Sequence, residues 1–307
     1  MNIVLASSSK VAIPVLNYLV VNHNLRFVLT GPDKPTGRGR TLMANDFADY
    51  CSGQNLTVFK PSNDIELESA LGEIKPDLVI TAAYGRLIKQ HQLSIPTHGW
   101  LNIHFSLLPR WRGAAPVQFT ILNGDKVSGV TVFKLEKGVD TGPIYAIKEY
   151  GLQRSESAGD LLATLSELAI QPLEESIVKI AAGEEPVVQN SEGATLAPKI
   201  SKSDGMITWS DDVCAIERKV RAFSPWPGAW SRLNGKHILI LEAQIADLEV
   251  DNLLPVGTLQ IGNEVLVKCG NGALLLKKVK PEGKKEMLAM EWIRGIQNKE
   301  HLRFDIS

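Results

Sequence analysis

Three polar residues near the middle of the chain have the types and spacing needed for carbonyl chemistry. Asn102 and His104 lie two positions apart in a short apolar run. If this run is a β-strand, its alternating geometry directs both side chains to the same face. Asp140 follows in the turn-like sequence GVDTG, where the flanking glycines allow the backbone to bend sharply. The pattern therefore predicts that an amide, an imidazole and a carboxylate meet at the ends of strands.

Such a set of groups can act on an acyl carbonyl. An amide N–H and an imidazole can orient the carbonyl and stabilise the oxyanion that develops on it, while a carboxylate accepts or relays a proton. None of these steps needs a metal ion, and the sequence predicts none. An Asn-x-His pair on a strand is, taken alone, more often a structural hydrogen-bonded pair. The segment that follows it favours the catalytic interpretation.

That segment has the character of a small-molecule pocket. Ser106, Leu107, Leu108 and Pro109 follow the predicted strand at once and are too apolar for an ordinary surface loop. Pro109 interrupts both strand and helix. A kinked apolar loop with free backbone groups suits a flat polar ring. The sequence GAAP at 113–116 then supplies small side chains and a proline suited to the first turn of a helix.

Several motifs together resemble a known family. NIHFSLLPRWRGAAP at 102–116, followed by GVDTG at 138–142, is similar to the folate-dependent formyltransferases, and most closely to the members that formylate methionyl-tRNA. PDKPTGRGR at 32–40, AAYG at 82–85 and AFSPWPGAW at 222–230 extend this resemblance over nearly the whole chain. One segment departs from it: Ser7-Ser8-Ser9-Lys10 stands where the family usually has a Gly-Thr-Pro-Asp turn. Contacts made by that turn are therefore not transferred to this chain.

The resemblance implies a reaction. A formyl group would move from 10-formyltetrahydrofolate to the amino group of methionine esterified to initiator tRNA, through a tetrahedral oxyanion. Asn102 would orient the formyl oxygen through its amide N–H. His104 would donate a hydrogen bond to the oxyanion, and Asp140 would accept or relay the amine proton while it polarises the imidazole.

The resemblance also implies binding residues. The folate ring would lie against Ser106, Leu107, Leu108 and Pro109, with Leu87 and Val139 nearby. Arg38 would meet the acceptor end of the tRNA. Further basic residues on the same loop, on the predicted linker and on the C-terminal domain favour a phosphate-binding track, although charge runs are more often solvated surface. The candidates for tRNA binding are Lys34, Arg38, Arg40 and Lys202.

Other acceptors stay open at this point. Glycinamide ribonucleotide formyltransferase shares the Asn, His and Asp set, but it ordinarily lacks a second domain and the loop at 34–40. A sugar-nucleotide formyltransferase has similar core chemistry and a different acceptor. A non-catalytic RNA-binding protein on the same core is a third alternative, and the intact Asn102, His104 and Asp140 argue against it.

Composition sets outer limits on the function. The chain has 307 residues with a formal net charge of −1, so contact with nucleic acid must come from local patches rather than from overall charge. Its three cysteines are scattered, with neither metal-ligand spacing nor a disulfide framework, which is typical of a reducing cytoplasm. The longest apolar stretch is too short to span a bilayer. We expect a soluble, cytoplasmic monomer.

The order of elements predicts the fold class. Apolar runs at 2–6, 26–30, 77–83, 130–135 and 144–150 alternate with helical patterns at 11–21, 42–52, 64–74, 116–122 and 158–182. This alternation indicates an α/β fold with a doubly wound, mostly parallel, Rossmann-like sheet, whose ligands bind beyond the carboxyl ends of the strands. No G-x-G-x-x-G follows the first strand, so the dinucleotide fingerprint is absent.

The C-terminal third has a different pattern. Short strand-like runs at 237–245, 258–261, 265–268 and 274–279 are separated by Gly, Asn and Asp turns, and a helix at 211–222 precedes them. They indicate a small barrel, and the resemblance implies that it is OB-like. The predicted domains are a catalytic domain at 1–183, a linker at 184–203 and an OB-like, tRNA-binding β-barrel domain at 204–307.

Overall fold

A computed structural model describes residues 1–36, 40–247 and 253–305. Arg38, one of the predicted tRNA-binding residues, lies outside the described residues. The contacts divide the chain into two compact units. Residues 1–116, 127–151 and 162–197 form the first unit, and residues 117–126, 152–161 and 198–307 form the second.

The elements up to residue 197 are numbered along the chain. The strands are β1 (Asn2–Ala6), β2 (Asn24–Leu29), β3 (Lys34–Thr36), β4 (Thr41–Met43), β5 (Val58–Phe59), β6 (Leu78–Thr81), β7 (Trp100–His104), β8 (Arg112–Gly113), β9 (Val127–Lys134), β10 (Ile144–Gly151) and β11 (Leu196–Ala197). The helices are α1 (Ile13–Asn22), α2 (Asp46–Gly53), α3 (Asp64–Ile74), α4 (Gln90–Leu93), α5 (Pro116–Asn123), α6 (Ala158–Leu168) and α7 (Ile170–Ala181). A short 3₁₀ helix, Lys10–Ala12, leads into α1.

The large sheet of the first unit has the predicted doubly wound organisation. Its strand order is β10-β9-β7-β6-β1-β2-β5. The five strands from β7 to β5 pair in parallel, and β9 and β10 add an antiparallel edge. The central strands β1 and β6 are almost entirely buried, as expected for parallel strands covered on both faces. The prediction of a mostly parallel α/β sheet is confirmed.

Two local predictions were wrong. The helix predicted at 42–52 begins only at Asp46, because the Asn45 side chain accepts a hydrogen bond from the Ala48 amide and caps the helix there. The residues before it form a hairpin in which β3 pairs antiparallel with β4. The single helix predicted at 158–182 is divided into α6 and α7. Pro172, which has no amide hydrogen to continue the ladder, lies just after this break.

The second unit contains the smaller antiparallel sheet. Its strands are β12 (Ala229–Leu233), β13 (Lys236–Ile245), β14 (Leu259–Ile261), β15 (Val265–Lys268), β16 (Ala273–Pro281) and β17 (Met287–Leu288), and its further helices are α8 (Val213–Ala222) and α9 (Ala289–Arg294). The strand order is β12-β13-β16-β15-β14, with β17 added against β16. Asp212 caps α8 by accepting from the amides of Cys214 and Ala215.

This unit has its own hydrophobic core. The core includes Phe304, which stacks with Trp209 at a centroid distance of 4.8 Å and with Trp292 at 6.1 Å. Among the described residues of the whole chain, no helix has the length and hydropathy needed to cross a membrane.

Candidate active site

The predicted catalytic residues lie at the carboxyl ends of two neighbouring parallel strands. Asn102 and His104 are on β7, and Thr81 ends the adjacent strand β6 in register with Asn102. Side chains two apart on a strand face the same way, so Asn102 and His104 line one cleft together. Ligands of open α/β sheets bind at this edge.

The Asn102 amide is oriented by its neighbour on β6. The Thr81 hydroxyl donates to Asn102 Oδ1 at 2.7 Å and is itself buried. Because Oδ1 accepts this hydrogen bond, the Asn102 Nδ2 donor is the half of the amide left for a ligand. Among the described residues, Nδ2 has no protein partner. The arrangement presents an N–H donor to the cleft.

His104 is fixed through its other ring nitrogen. Nε2 lies 2.9 Å from the Trp111 carbonyl oxygen, and since a carbonyl can only accept, Nε2 carries the hydrogen of the neutral ring. Nδ1 then faces Asp140, with Oδ2 at 3.7 Å. Burial lowers the pKa of His104, although the Asp140 charge and the Trp111 carbonyl act in the opposite direction. The ring is therefore neutral at physiological pH, with Nδ1 able to accept a proton.

Asp140 lies in a turn that is held tightly. Its φ of 51° is in the left-handed region, which is unfavourable for a residue with a side chain. The Gly113 amide donates to Asp140 Oδ2 at 2.8 Å. Gly142 packs so closely on the backbone of β9 that a Cβ would collide with the Lys134 carbonyl oxygen. The glycine that ends the GVDTG turn is therefore required by a close backbone approach.

Asn102, His104 and Asp140 share an open cleft of about 490 Å³, a volume typical of small-molecule sites. Of the residues predicted to bind folate, Leu87 and Val139 line this cleft. Both are large apolar side chains with high exposure, 87% and 62%. Exposed apolar groups on a cleft rim suit the face of a planar ring.

The other four predicted folate-binding residues do not line this cleft. Ser106 and Leu108 are buried, and the Ser106 hydroxyl donates to the Arg110 carbonyl at 2.6 Å. Thr131 holds the loop from β9: its hydroxyl donates to the Ser106 carbonyl and accepts from the Leu108 amide. Leu107 and Pro109 are half-buried. These contacts give the loop a structural role between β7 and β8.

The described tRNA-binding candidates are all exposed. Lys34 is on β3, Arg40 precedes β4, and Lys202 precedes a 3₁₀ turn of the second unit. The backbone carbonyl of Lys202 accepts from the Trp230 indole at 2.9 Å. Two large apolar side chains, Leu42 and Met43, are also exposed on the β3–β4 hairpin.

Sequence reasoning missed four residues that hold the site. Thr81 was recognisable as the last residue of a buried strand next to β7. Gly113 lay in a quoted motif, but its amide had no predicted partner. Gln189, which donates to the Asp140 carbonyl, and Thr195, which accepts from the Trp111 amide, lie in the segment predicted as a linker, and no pattern in that polar stretch indicates these contacts. Within the described ranges, no three His, Cys, Asp or Glu side chains are grouped to hold a metal ion.

The fold is an α/β sheet whose cleft, at the carboxyl ends of parallel strands, is lined by the Asn102, His104 and Asp140 side chains. Residues 3–177 match the family model described as formyl transferase, and residues 199–297 match that of its C-terminal domain. The chain belongs to the formyl transferase family.

Relatives cover the chain from end to end. A methionyl-tRNA formyltransferase of Nocardioides sp. is 38% identical over 312 residues, which cover 100% of this chain and 99% of the relative. One from Streptomyces griseus is 38% identical over 302 residues, with 97% of each chain covered.

Solved structures share the fold at lower identity. HypX from Aquifex aeolicus in complex with tetrahydrofolic acid has a TM-score of 0.65 at 19% identity, covering 95% of this chain and 47% of its own. An N-formyltransferase from Helicobacter canadensis, in complex with folinic acid and dTDP-3-aminofucose, has a TM-score of 0.67 at 20% identity, covering 90% and 98%. Methionyl-tRNA formyltransferase from Clostridium thermocellum has a TM-score of 0.57 at 17% identity, covering 80% and 94%.

Proposed function

We propose that this enzyme transfers a formyl group from 10-formyltetrahydrofolate to the amino group of initiator methionyl-tRNA. The observation that carries the proposal is the 38% identity, over the full length of both chains, to enzymes named for this acceptor. The match includes the C-terminal domain, which glycinamide ribonucleotide formyltransferases ordinarily lack. A monomeric, cytoplasmic enzyme remains our prediction. The predicted domains at 1–183 and 204–307 and the linker at 184–203 differ from the two compact units, because residues up to 197 group with the first unit while 117–126 and 152–161 group with the second.

The cleft suits a folate donor. Leu87 and Val139 offer exposed apolar surface to a planar ring. Asn102, His104 and Asp140 line the same cleft, where they can contact the formyl group. Two solved structures with this fold are complexes with folate compounds, tetrahydrofolic acid and folinic acid. The backbone of the 106–109 loop remains a candidate for ring contacts, although its Ser106 and Leu108 side chains are buried.

The site groups divide the proton chemistry between them. Asn102 Nδ2 donates to the formyl oxygen and so polarises the carbonyl for attack by the amine. As the C–N bond forms, the amine becomes acidic and its proton passes to His104 Nδ1, the unprotonated nitrogen of the neutral ring. The imidazolium formed in this way becomes the donor that stabilises the oxyanion, and Asp140 stabilises its positive charge. His104 thus donates only after it has accepted. When the oxyanion collapses, the bond between the formyl carbon and N10 of the folate breaks, and tetrahydrofolate leaves with the proton that His104 returns to N10.

The acceptor is tested directly by competition. The full-length enzyme is given 10-formyltetrahydrofolate with methionyl-tRNA, glycinamide ribonucleotide or a nucleotide-linked amino sugar, and the formylated product is identified by mass. We expect formyl-methionyl-tRNA alone. Formylation of either small acceptor at a higher kcat/KM than methionyl-tRNA would disprove the acceptor assignment while leaving the donor intact. Asn102→Ala is the matched inactive control, with kcat expected to fall ~10²–10³-fold.

A further inference from the structure

Most of the segment predicted as a linker is hydrogen-bonded to the residues that support Asp140 and His104. We define residues 187–197 as the strap. Its Val187 exchanges two backbone hydrogen bonds with Ile144 at the start of β10, at 2.7 and 2.8 Å. Its end, β11, pairs in parallel with β8. The strap therefore contacts both the segment that supports His104 and the one that leads from the Asp140 turn.

One side chain of the strap joins these two segments. Gln189 Nε2 donates to the Asp140 carbonyl at 2.9 Å and to the Gly142 carbonyl at 2.6 Å. Gln189 Oε1 accepts from Arg112 Nε at 3.2 Å and Nη2 at 2.7 Å. Both hydrogens and both lone pairs of the amide are used, so the side chain is saturated. The bonds from the guanidinium are charge-assisted and fix the amide further.

The segments joined by Gln189 are those that set the catalytic geometry. Asp140 has a left-handed backbone, which persists only where its surroundings impose it. Gly113, next to Arg112, donates to the Asp140 carboxylate. Trp111, on the other side of Arg112, supplies the carbonyl that orients His104. Thr195 of the strap accepts from the Trp111 amide at 2.9 Å, so the strap supports that peptide as well.

We propose that Gln189 is a positioning residue for formyl transfer, which holds the Asp140 turn against the Trp111–Gly113 segment so that Asp140 and His104 keep their catalytic relationship. Gln189 does not line the cleft and touches no reacting atom. It acts through backbone carbonyls. The kinetic test of this proposal rests on the proposed function, because it measures formyl transfer. The NMR test does not, because it measures only the titration of His104.

The first test is kinetic and uses Gln189→Met, which keeps the length of the side chain and removes its four hydrogen bonds. We expect kcat per folded molecule to fall about 10- to 100-fold, as is usual for a misplaced catalytic group, with KM for the folate donor within about threefold. Asn190→Ala is the matched control. Its exposed side chain accepts, among the described residues, only from the Glu192 amide within the strap, so the substitution should leave kcat unchanged.

A second variant separates the two halves of the contact. Gln189→Glu keeps the acceptors for Arg112 but replaces the donor to the Asp140 and Gly142 carbonyls with a negative oxygen. We expect it to lose kcat as Gln189→Met does, while the strap stays attached through Arg112. If Gln189→Met does not fold, Gln189→Glu alone tests whether Gln189 positions the Asp140 turn. Wild-type kcat in the folded variant would overturn the proposal.

The third readout needs no substrate. Asp140 is the charge that acts on His104, and the other charged side chains lining the cleft are Arg86 and Glu136. If Gln189→Met releases Asp140, the His104 ring should titrate at lower pH by NMR in the full-length enzyme, as it should in Asp140→Asn. An unchanged His104 titration in folded Gln189→Met would overturn the proposal. A wild-type enzyme that formylates no methionyl-tRNA would refute the proposed function and leave this measurement valid.

Discussion

The Trp111 carbonyl oxygen lies 2.9 Å from His104 Nε2, and this contact decides which nitrogen of the neutral ring carries the hydrogen. Trp111 has a φ of 63°, in the left-handed region that residues with a side chain rarely adopt, and this conformation directs its carbonyl towards His104. Because the carbonyl holds the Nε2 hydrogen, the proton acceptor is Nδ1, on the side of Asp140. The predictions below follow from this arrangement and from the groups that support it.

The activity should depend on pH through His104. Burial lowers its pKa below the ordinary 6.5, so we expect kcat to fall only as the pH drops below 6.5 and Nδ1 becomes protonated. The Asp140 charge raises this pKa, and Asp140→Asn should therefore move the acid limb of the kcat profile to lower pH, in addition to lowering kcat. An acid limb in Asp140→Asn at or above that of wild type would contradict this assignment.

The same shift affects stability with a defined sign. Between pH 6.5 and the lowered folded pKa, the unfolded chain binds a proton at His104 that the folded protein does not. The free energy of unfolding should thus decrease as the pH falls through this interval and not above it. Denaturant titrations of wild type and His104→Gln, compared at pH 8 and pH 5, measure it. The variant should show the smaller decrease.

Thr81→Val tests the orientation of Asn102. The substitution keeps the shape of a buried β-branched side chain and removes the hydroxyl that donates to Oδ1 at 2.7 Å. One hydrogen bond is worth about 1 kcal/mol net, so we expect kcat to fall by about tenfold at most, with KM for the donor unchanged. Thr81→Ser restores the hydroxyl and should recover most of the rate. Equal kcat in Thr81→Val and wild type would exclude this role.

The three proposed catalytic residues should behave as one unit. Asn102→Ala, His104→Ala and Asp140→Asn should each lower kcat by orders of magnitude while the protein stays folded. The double variant of His104 and Asp140 should cost much less than the product of the two single effects, since each single change already disables the proton transfer. Steady-state kinetics of the four variants form the cycle. Full multiplicativity would show that the two residues act independently.

Gly113→Ala should destabilise the enzyme strongly. A Cβ at this position would lie 2.5 Å from the Ala197 carbonyl oxygen, and its φ of 124° is accessible in practice only to glycine. We expect a loss of ~3 kcal/mol in the free energy of unfolding. Gly72→Ala is the matched control, since it lies in α3 with no atom near its Cβ position and should stabilise by ~0.5 to 1 kcal/mol.

The basic residues of the 34–40 segment should act on the tRNA alone. Arg38→Ala should lower kcat/KM for methionyl-tRNA more than Lys34→Ala does, because a guanidinium fork can hold a phosphate at two points. Each lost phosphate contact should reduce the slope of log affinity against log salt by about one counterion. Folate affinity should stay at the wild-type value. If Arg38→Ala weakens folate binding equally, the assignment to tRNA is wrong.

The amino-acid sequence determined the parts of this protein that depend on local pattern. Buried apolar runs such as β1 and β6 specify parallel strands by their composition, and alternation on β7 places Asn102 and His104 on one face. The motifs around them identified the family before any contact was known. The start of α2 was not determined in this way. Hydrophobic periodicity alone does not distinguish the strand that precedes Asn45 from a first helical turn, so the predicted helix began four residues too early.

Only the tertiary structure decided what holds the catalytic groups in place. The Trp111 carbonyl, the Gly113 amide and the Gln189 side chain act through hydrogen bonds between residues 7 to 49 positions apart. Backbone donors and acceptors are present at every residue, so no residue type marks the ones used. A polar stretch such as 187–197 looks like a linker in sequence, because nothing local shows that its hydrogen-bonding groups are paired with the active site rather than with water.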